Sequence, residues 1–264
     1  MNLFAFKIEA IIQYKDLVDG EYLVSVLKAA FKQDPDLSSN DSLMEIYCKA
    51  LKTPADHRYF QHFLFPEMLL TFKTSPFLVS EGTTGKRLWD ASLALTEYFY
   101  TNPHIVKDKR ILELGTGTGF CGISLAKLLN PKRVILSDLE QVSENVTAHN
   151  IDLNNAKAEF ITLDWETDSF DFSSIDSIVG SDLVYDPNLG SILAKFILNA
   201  LDQNPDLEIY IMQGIRSKET FDQFVALLPD SFTVSSVSLN SNLFYYRDVI
   251  QGMKLIKYPN KSIY

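Results

Sequence analysis

The sequence predicts an α/β fold: a seven-stranded, mostly parallel sheet whose last strands form an antiparallel hairpin, preceded by a helical N-terminal extension. Three observations carry that expectation. From residue 110 onward, short apolar runs alternate with segments whose apolar residues recur at helical spacing, as in a parallel sheet covered by helices. The first run, ILEL at 111–114, breaks into Gly115, Gly117 and Gly119 before a helix-period segment, so a strand meets a helix N-terminus through a tight turn. The last two runs are joined by a loop without helical period, which favours an antiparallel pair.

Taken in order, residues 1–79 form the first of two expected domains. IEAIIQYKDL, EYLVSVLKAAF and SLMEIYCKALK read as helices, as does an aromatic-rich stretch from Tyr59 to Phe72, with QDPDLSSND and KTPADH as breaks. The stripe Tyr59, Phe60, Phe63, Phe65 suits a core or a docking surface. The second domain, 80–264, opens with SEGTTGKRLWDASLAL, a glycine-containing loop running into a helix from about Trp89 to Tyr100. Strands follow at ILEL, RVILSD, FITL, IDSIVGS, LEIYIMQGI, FTVSSVSL and VIQGMKLIKY. Helices are expected after Gly119 and at 140–153, 188–203 and 217–228. No tandem repeat or low-complexity tract interrupts the series.

The polar residues at the strand ends narrow the ligand. Gly117, Gly119 and Gly122 satisfy G-x-G-x-x-G, so a dinucleotide remains one reading. Glu113 before the glycines favours the other, because a carboxylate there would crowd a pyrophosphate and suits a cationic ligand such as S-adenosylmethionine. That cofactor has a ribose, an adenine and an amino-acid tail. Asp138, at the end of RVILSD, can hold both ribose hydroxyls. Asp164 and Trp165 can offer an acceptor to the adenine amino group and an aromatic wall beside its ring. The fourth strand ends in Asp182 and Tyr185, on the sheet edge where ligands bind in open α/β folds. Each residue alone has a plainer reading: Glu113 a local cap, Asp138 the N-cap of a helix near Glu140, Trp165 a packing residue. Their joint placement, in strand order, carries the argument.

Composition limits the partners. A formal net charge of −10 and a pI near 4.9 argue against a broad grip on nucleic acid and suit a basic or lysine-bearing protein surface. Cys48 and Cys121 lie far apart, with no C-x-x-C spacing or histidine cluster, so no metal site is expected and a reduced compartment fits. The N-terminal stretch lacks the pattern of a signal peptide and no transmembrane run is present, so a cytoplasmic monomer is expected, and the sequons at Asn40, Asn145 and Asn260 are read as accidental.

ELGTGTGFCG, SDLE, LDWE and SDLVYD together resemble the seven-β-strand S-adenosylmethionine-dependent methyltransferases, in particular their family 16 protein-lysine branch with its D-x-x-Y after strand four. The likeness spans roughly residues 80–258 and implies a Rossmann-like sheet. SEGTTGKRLWDASLAL, joined to a helical extension, further resembles the lysine methyltransferases of eukaryotic elongation factor 2. The resemblance implies Trp89, Gly115, Thr116, Gly117 and Ser181 at the cofactor, Asp138 on its ribose and Trp165 beside adenine, with Asp182 and Tyr185 facing the substrate lysine. The implied reaction is methyl transfer to a lysine ε-amine of a protein, elongation factor 2. Two further readings stay open: an NAD-dependent oxidoreductase, supported by the glycines and Asp138, and a cofactor-binding interaction protein without turnover.

Overall fold

The computed structural model describes residues 20–52, 60–66, 68–75, 77, 79, 82–139, 146–237 and 253–258. The chain divides into two compact units, Met1–Pro76 and Phe77–Tyr264.

In the first unit, helices α1 (Gly20–Gln33) and α2 (Asp41–Leu51) pack through Leu23 and Leu27 of one and Leu43, Ile46 and Ala50 of the other. These are the inward positions of a 3.6-residue period. Asn40 starts α2 by accepting from the Leu43 backbone N–H at 3.1 Å, which satisfies one of the helix's orphan donors. The helical reading of Tyr59–Phe72 is corrected. Strand β1 (Phe60–Leu64) pairs antiparallel with β2 (Leu69–Lys73), with Phe60 opposite Lys73 and Leu64 opposite Leu69; Tyr59 lies outside the described residues. Leu70 and Phe72 point inward while their neighbours are half-buried, a period of two, and Phe63 meets Phe72 edge-on at 6.0 Å. Pro66 in the connection removes a backbone donor that a continuous helix would need.

The second unit is built on seven strands among the described residues: β3 (Arg110–Leu114), β4 (Arg133–Asp138), β5 (Glu159–Thr162), β6 (Ser177–Ser181), β7 (Glu208–Gly214), β8 (Thr233–Ser236) and β9 (Met253–Tyr258). Their spatial order is β5-β4-β3-β6-β7-β9-β8, with the first five parallel and β9 antiparallel to both β7 and β8. Successive strand residues feed two cores. Leu112, Ile178, Ile209, Ile211 and Ile256 face helices α6 (Pro187–Gln203) and α7 (Lys218–Val225), whereas Ile111, Val179, Tyr210, Met212 and Leu255 face α3 (Asp90–Thr101) and α4 (Phe120–Leu128). Burial on both faces is why these strands read as near-continuous apolar runs. A short helix, α5 (Ala148–Leu153), falls in the segment expected to be helical over 140–153, of which 140–145 lie outside the described residues. Residues 241–248, between the last two expected strands, also lie outside them.

The chain leaves β3 toward β4 and β5, then returns to β6 on the other side of β3. That reversal parts the connections above the carboxyl ends of β3 and β6 and opens a crevice there. Among the described residues no helix is long and apolar enough to cross a membrane, and no group of three or more His, Cys, Asp or Glu is placed to hold a metal ion.

Candidate active site

The glycine turn takes the conformation its composition requires. Gly115, Gly117 and Gly119 have φ of +57°, +55° and +78°, the left-handed region that side chains disfavour. Space is also short: a Cβ on Gly115 would lie 2.6 Å from Leu183 Cδ2, and one on Gly117 2.8 Å from the Gly85 carbonyl oxygen. The 82–87 loop therefore closes directly against the turn.

Glu113 is buried beneath this turn. Its Oε2 accepts from the Thr116 hydroxyl at 2.8 Å and from the Gly122 backbone N–H at 2.9 Å, tying the strand end to the first turn of α4. Burial pushes its carboxyl up to about 7, against the pull of those two hydrogen bonds, and nearby Asp138 adds to the rise. It does not line the cavity above.

All the other candidate residues do. A cavity of about 490 Å³ at the carboxyl edge of the sheet is lined by Trp89, Gly115, Thr116, Gly117, Asp138, Asp164, Trp165, Ser181, Asp182 and Tyr185. Asp138, the last residue of β4, accepts from the Gly117 N–H at 2.7 Å with Oδ2 and from the Leu139 N–H at 2.8 Å with Oδ1. Burial raises its carboxyl, and the two backbone donors oppose that rise. Asp164 turns its Oδ1 onto the Glu166 N–H at 2.9 Å, which sets the bend that presents Trp165. Trp165 packs beside the position a Gly115 side chain would take.

The segment after β6 is the most constrained part of the wall. Asp182 has φ +54°, a strained value for a residue with a side chain, and is 8% exposed. Its Oδ1 accepts from the Gly214 N–H at 3.0 Å and from Gln213 Nε2 at 3.3 Å; its Oδ2 accepts from Arg216 Nη2 at 2.8 Å. Desolvation raises the carboxyl, while the Arg216 charge and the Gly214 donor pull it down. Gln213 clasps the same loop from β7, accepting from the Val184 N–H at 3.0 Å and donating to the Val184 carbonyl at 3.2 Å. Tyr185 follows at the rim, 56% exposed. Desolvation and the charge of Asp138 raise its hydroxyl, and a hydrogen bond with the Thr84 side chain opposes them.

Trp89 sits just before α3 and donates from its indole N–H to the Thr84 carbonyl at 3.2 Å. Two guanidinium groups lie over its ring, Arg216 at 4.4 Å and Arg87 at 5.2 Å. Sequence reasoning missed Gln213, Arg216 and the part played by the 82–87 loop. A glutamine inside the apolar run IYIMQGI was a usable signal for the first; nothing local marks Arg216.

The family described as lysine methyltransferase matches residues 78–230, which contain the whole of this wall. The chain belongs to the lysine methyltransferase family. Within it, the chain is 32% identical over 198 residues to protein-lysine N-methyltransferase EFM3 of Chaetomium thermophilum, covering 67% of this chain and 59% of that protein. It is 30% identical over 204 residues to mouse protein-lysine N-methyltransferase EEF2KMT, covering 70% of this chain and 61% of that one. The chain thus spans about three fifths of the length of these curated relatives. A solved ribosomal protein L11 methylase from Lactobacillus delbrueckii subsp. bulgaricus is 18% identical with a TM-score of 0.45, covering 71% of this chain and 93% of that one.

Proposed function

We propose that this chain is an S-adenosylmethionine-dependent protein-lysine N-methyltransferase that acts on elongation factor 2 in the cytoplasm as a monomer, with residues 80–264 as its methyltransferase domain. The observation that carries the reading is the gathering of Asp138, Trp165, Asp182 and Tyr185 on one cavity at the carboxyl edge of the sheet. Its volume of about 490 Å³ lies in the range of cofactor sites. When bound, S-adenosylmethionine supplies an electrophilic methyl group: a C–N bond forms to a neutral amine, the C–S pair stays on sulfur, and the positive charge passes to nitrogen.

The donor set suits that ligand. Each Asp138 oxygen accepts one backbone N–H and keeps a further lone pair for a ribose hydroxyl. Trp165 walls the adenine and Asp164 accepts from its amino group, while Gly115, Thr116, Gly117, Trp89 and Ser181 line the rest of the pocket. Glu113 serves the cofactor from below by holding the turn. Asp182 and Tyr185 orient the lysine. A free ε-amine has a pKa of ~10.4, so deprotonation at pH 7 costs roughly 4 to 5 kcal/mol, and fixing and partly desolvating the amine beside Tyr185 lowers that barrier.

A dinucleotide suits the turn less well. The Gly117 N–H is taken by Asp138 and the Gly122 N–H by Glu113, so two acidic side chains already occupy the donors a pyrophosphate would seek. Elongation factor 2 as acceptor rests on SEGTTGKRLWDASLAL and on the 30% identity to EEF2KMT.

The test is methylation of purified elongation factor 2 with labelled cofactor, read by mass spectrometry, beside calorimetry with S-adenosylhomocysteine and NAD. Labelled lysine is expected, with S-adenosylhomocysteine binding and NAD not. Asp182→Asn should keep cofactor binding and lower kcat about 100-fold or more. Unchanged methylation by that variant sinks the role of Asp182; label on other proteins alone sinks only the acceptor.

A further inference from the structure

A carboxylate facing the lysine amine raises a difficulty. An unpaired Asp182 would attract the substrate as its ammonium form, which has no lone pair to attack a methyl group. Arg216 removes the difficulty. It lies in the turn between β7 and α7, its Nη2 is 2.8 Å from Asp182 Oδ2, and its guanidinium stands 4.4 Å from the centre of the Trp89 ring. The Asp182 side chain is 5% exposed, that of Arg216 47%, so a carboxylate shut away from water meets a cation that still reaches it. Trp89 and Asp182 both line the cavity, which puts the ion pair at its wall.

We propose that Arg216 is a positioning residue for methyl transfer, neutralising Asp182 so that the carboxylate aims the lysine amine without holding its proton. The proposal rests on the reading of Asp182 as facing the substrate. Its Oδ1 is fixed by the Gly214 N–H and Gln213, neutral donors that orient it without cancelling its charge. Among the described residues, charged and titratable groups around the pair include Asp90 at the start of α3, whose negative charge reaches Asp182; Arg87, over the same Trp89 ring; and Tyr185, with Asp138 and Asp186 acting on its hydroxyl. With Arg216 present, the charge of Asp182 is balanced by the guanidinium on its Oδ2. Without it, the balance tips negative and the incoming lysine keeps its proton to higher pH.

The test is the pH dependence of kcat at saturating protein acceptor, which reports ionisation in the bound complex, for wild type, Arg216→Met, Arg216→Lys and Asp182→Asn, with S-adenosylhomocysteine affinity and thermal melting measured for each. Arg216→Met should move the acidic limb of the profile upward by about 1 pH unit or more, so that a loss of about tenfold near neutrality is recovered in alkali. Arg216→Lys should return the limb to its wild-type position. A loss in Arg216→Met by one constant factor at every pH, with cofactor affinity intact, overturns the proposal; if that variant fails to fold, a shifted limb in Arg216→Lys does the same. Wild-type activity in Asp182→Asn would remove the underlying reading of the site and this proposal with it. An inactive Asp182→Asn beside an unshifted Arg216→Met removes only the proposal.

Discussion

At the scale of single residues, Glu113 is the side chain whose position was legible and whose task was not. Sequence places it at the end of the first strand, before the glycines; it cannot say which side of the strand end the carboxylate takes. It turns inward, to Thr116 and Gly122, and burial lifts it from the ordinary 4.5 to about 7. The sign of the consequence follows. The folded protein holds a proton on Glu113 that the unfolded chain releases near 4.5, so this contribution to stability is full below about 4.5 and is lost as pH rises through about 7. Its size is about 3 kcal/mol. Glu113→Gln stays neutral and can still accept both hydrogen bonds, so its urea-unfolding free energy should gain on wild type by about 2 to 3 kcal/mol between roughly pH 5 and pH 8. Parallel curves would mean that Glu113 titrates normally. Asp138, Asp164, Trp165, Asp182 and Tyr185 were legible because strand order alone aligns their ends on one sheet edge. Gln213 and Arg216 were not, since they reach Asp182 from 31 and 34 residues away in the chain.

At the scale of elements, the hydrophobic period served where an element is long or where alternation with helices marks a short run as a strand, and failed at β1 and β2. Helix α6 runs for 17 residues and was expected to within one residue of its start; β1 and β2 have five each, with aromatic residues on both faces, too few to separate a period of two from 3.6. The boundary before α6 also bears on the site. Asp186 caps it, accepting from Asn188 and Leu189 N–H at 2.9 and 3.2 Å, with Pro187 in the first turn, and it directly follows Tyr185. Asp186→Ala should destabilise the protein by about 1 kcal/mol, seen as a lower urea midpoint with unchanged slope. Because the cap fixes where the 182–185 loop ends, kcat should fall with S-adenosylhomocysteine affinity little altered. A drop in affinity equal to that in kcat would place the effect on the pocket instead.

At the scale of the whole molecule, topology and charge divide the work. The reversal of strand order at β3 and β6 makes the crevice, and four parallel strands with buried interiors, β3, β4, β6 and β7, hold its walls, so under the proposed function cofactor recognition depends on short contacts within the second unit. Under the proposed function, recognition of a protein acceptor draws on a different property. With 34 acidic against 24 basic residues, the chain carries a net −10, which would attract a lysine-bearing surface over distances of about one Debye length, ~10 Å at 0.1 M salt. The two contributions should separate with ionic strength. Raising salt from roughly 20 to 300 mM should lower kcat/KM toward the protein acceptor about tenfold, mostly through KM, while the affinity for S-adenosylhomocysteine changes less than about twofold. Equal sensitivity of both would place the charge effect inside the pocket. Insensitivity of both would mean that the acceptor is read by shape and apolar contact, with the acidic balance of the chain playing no part in docking.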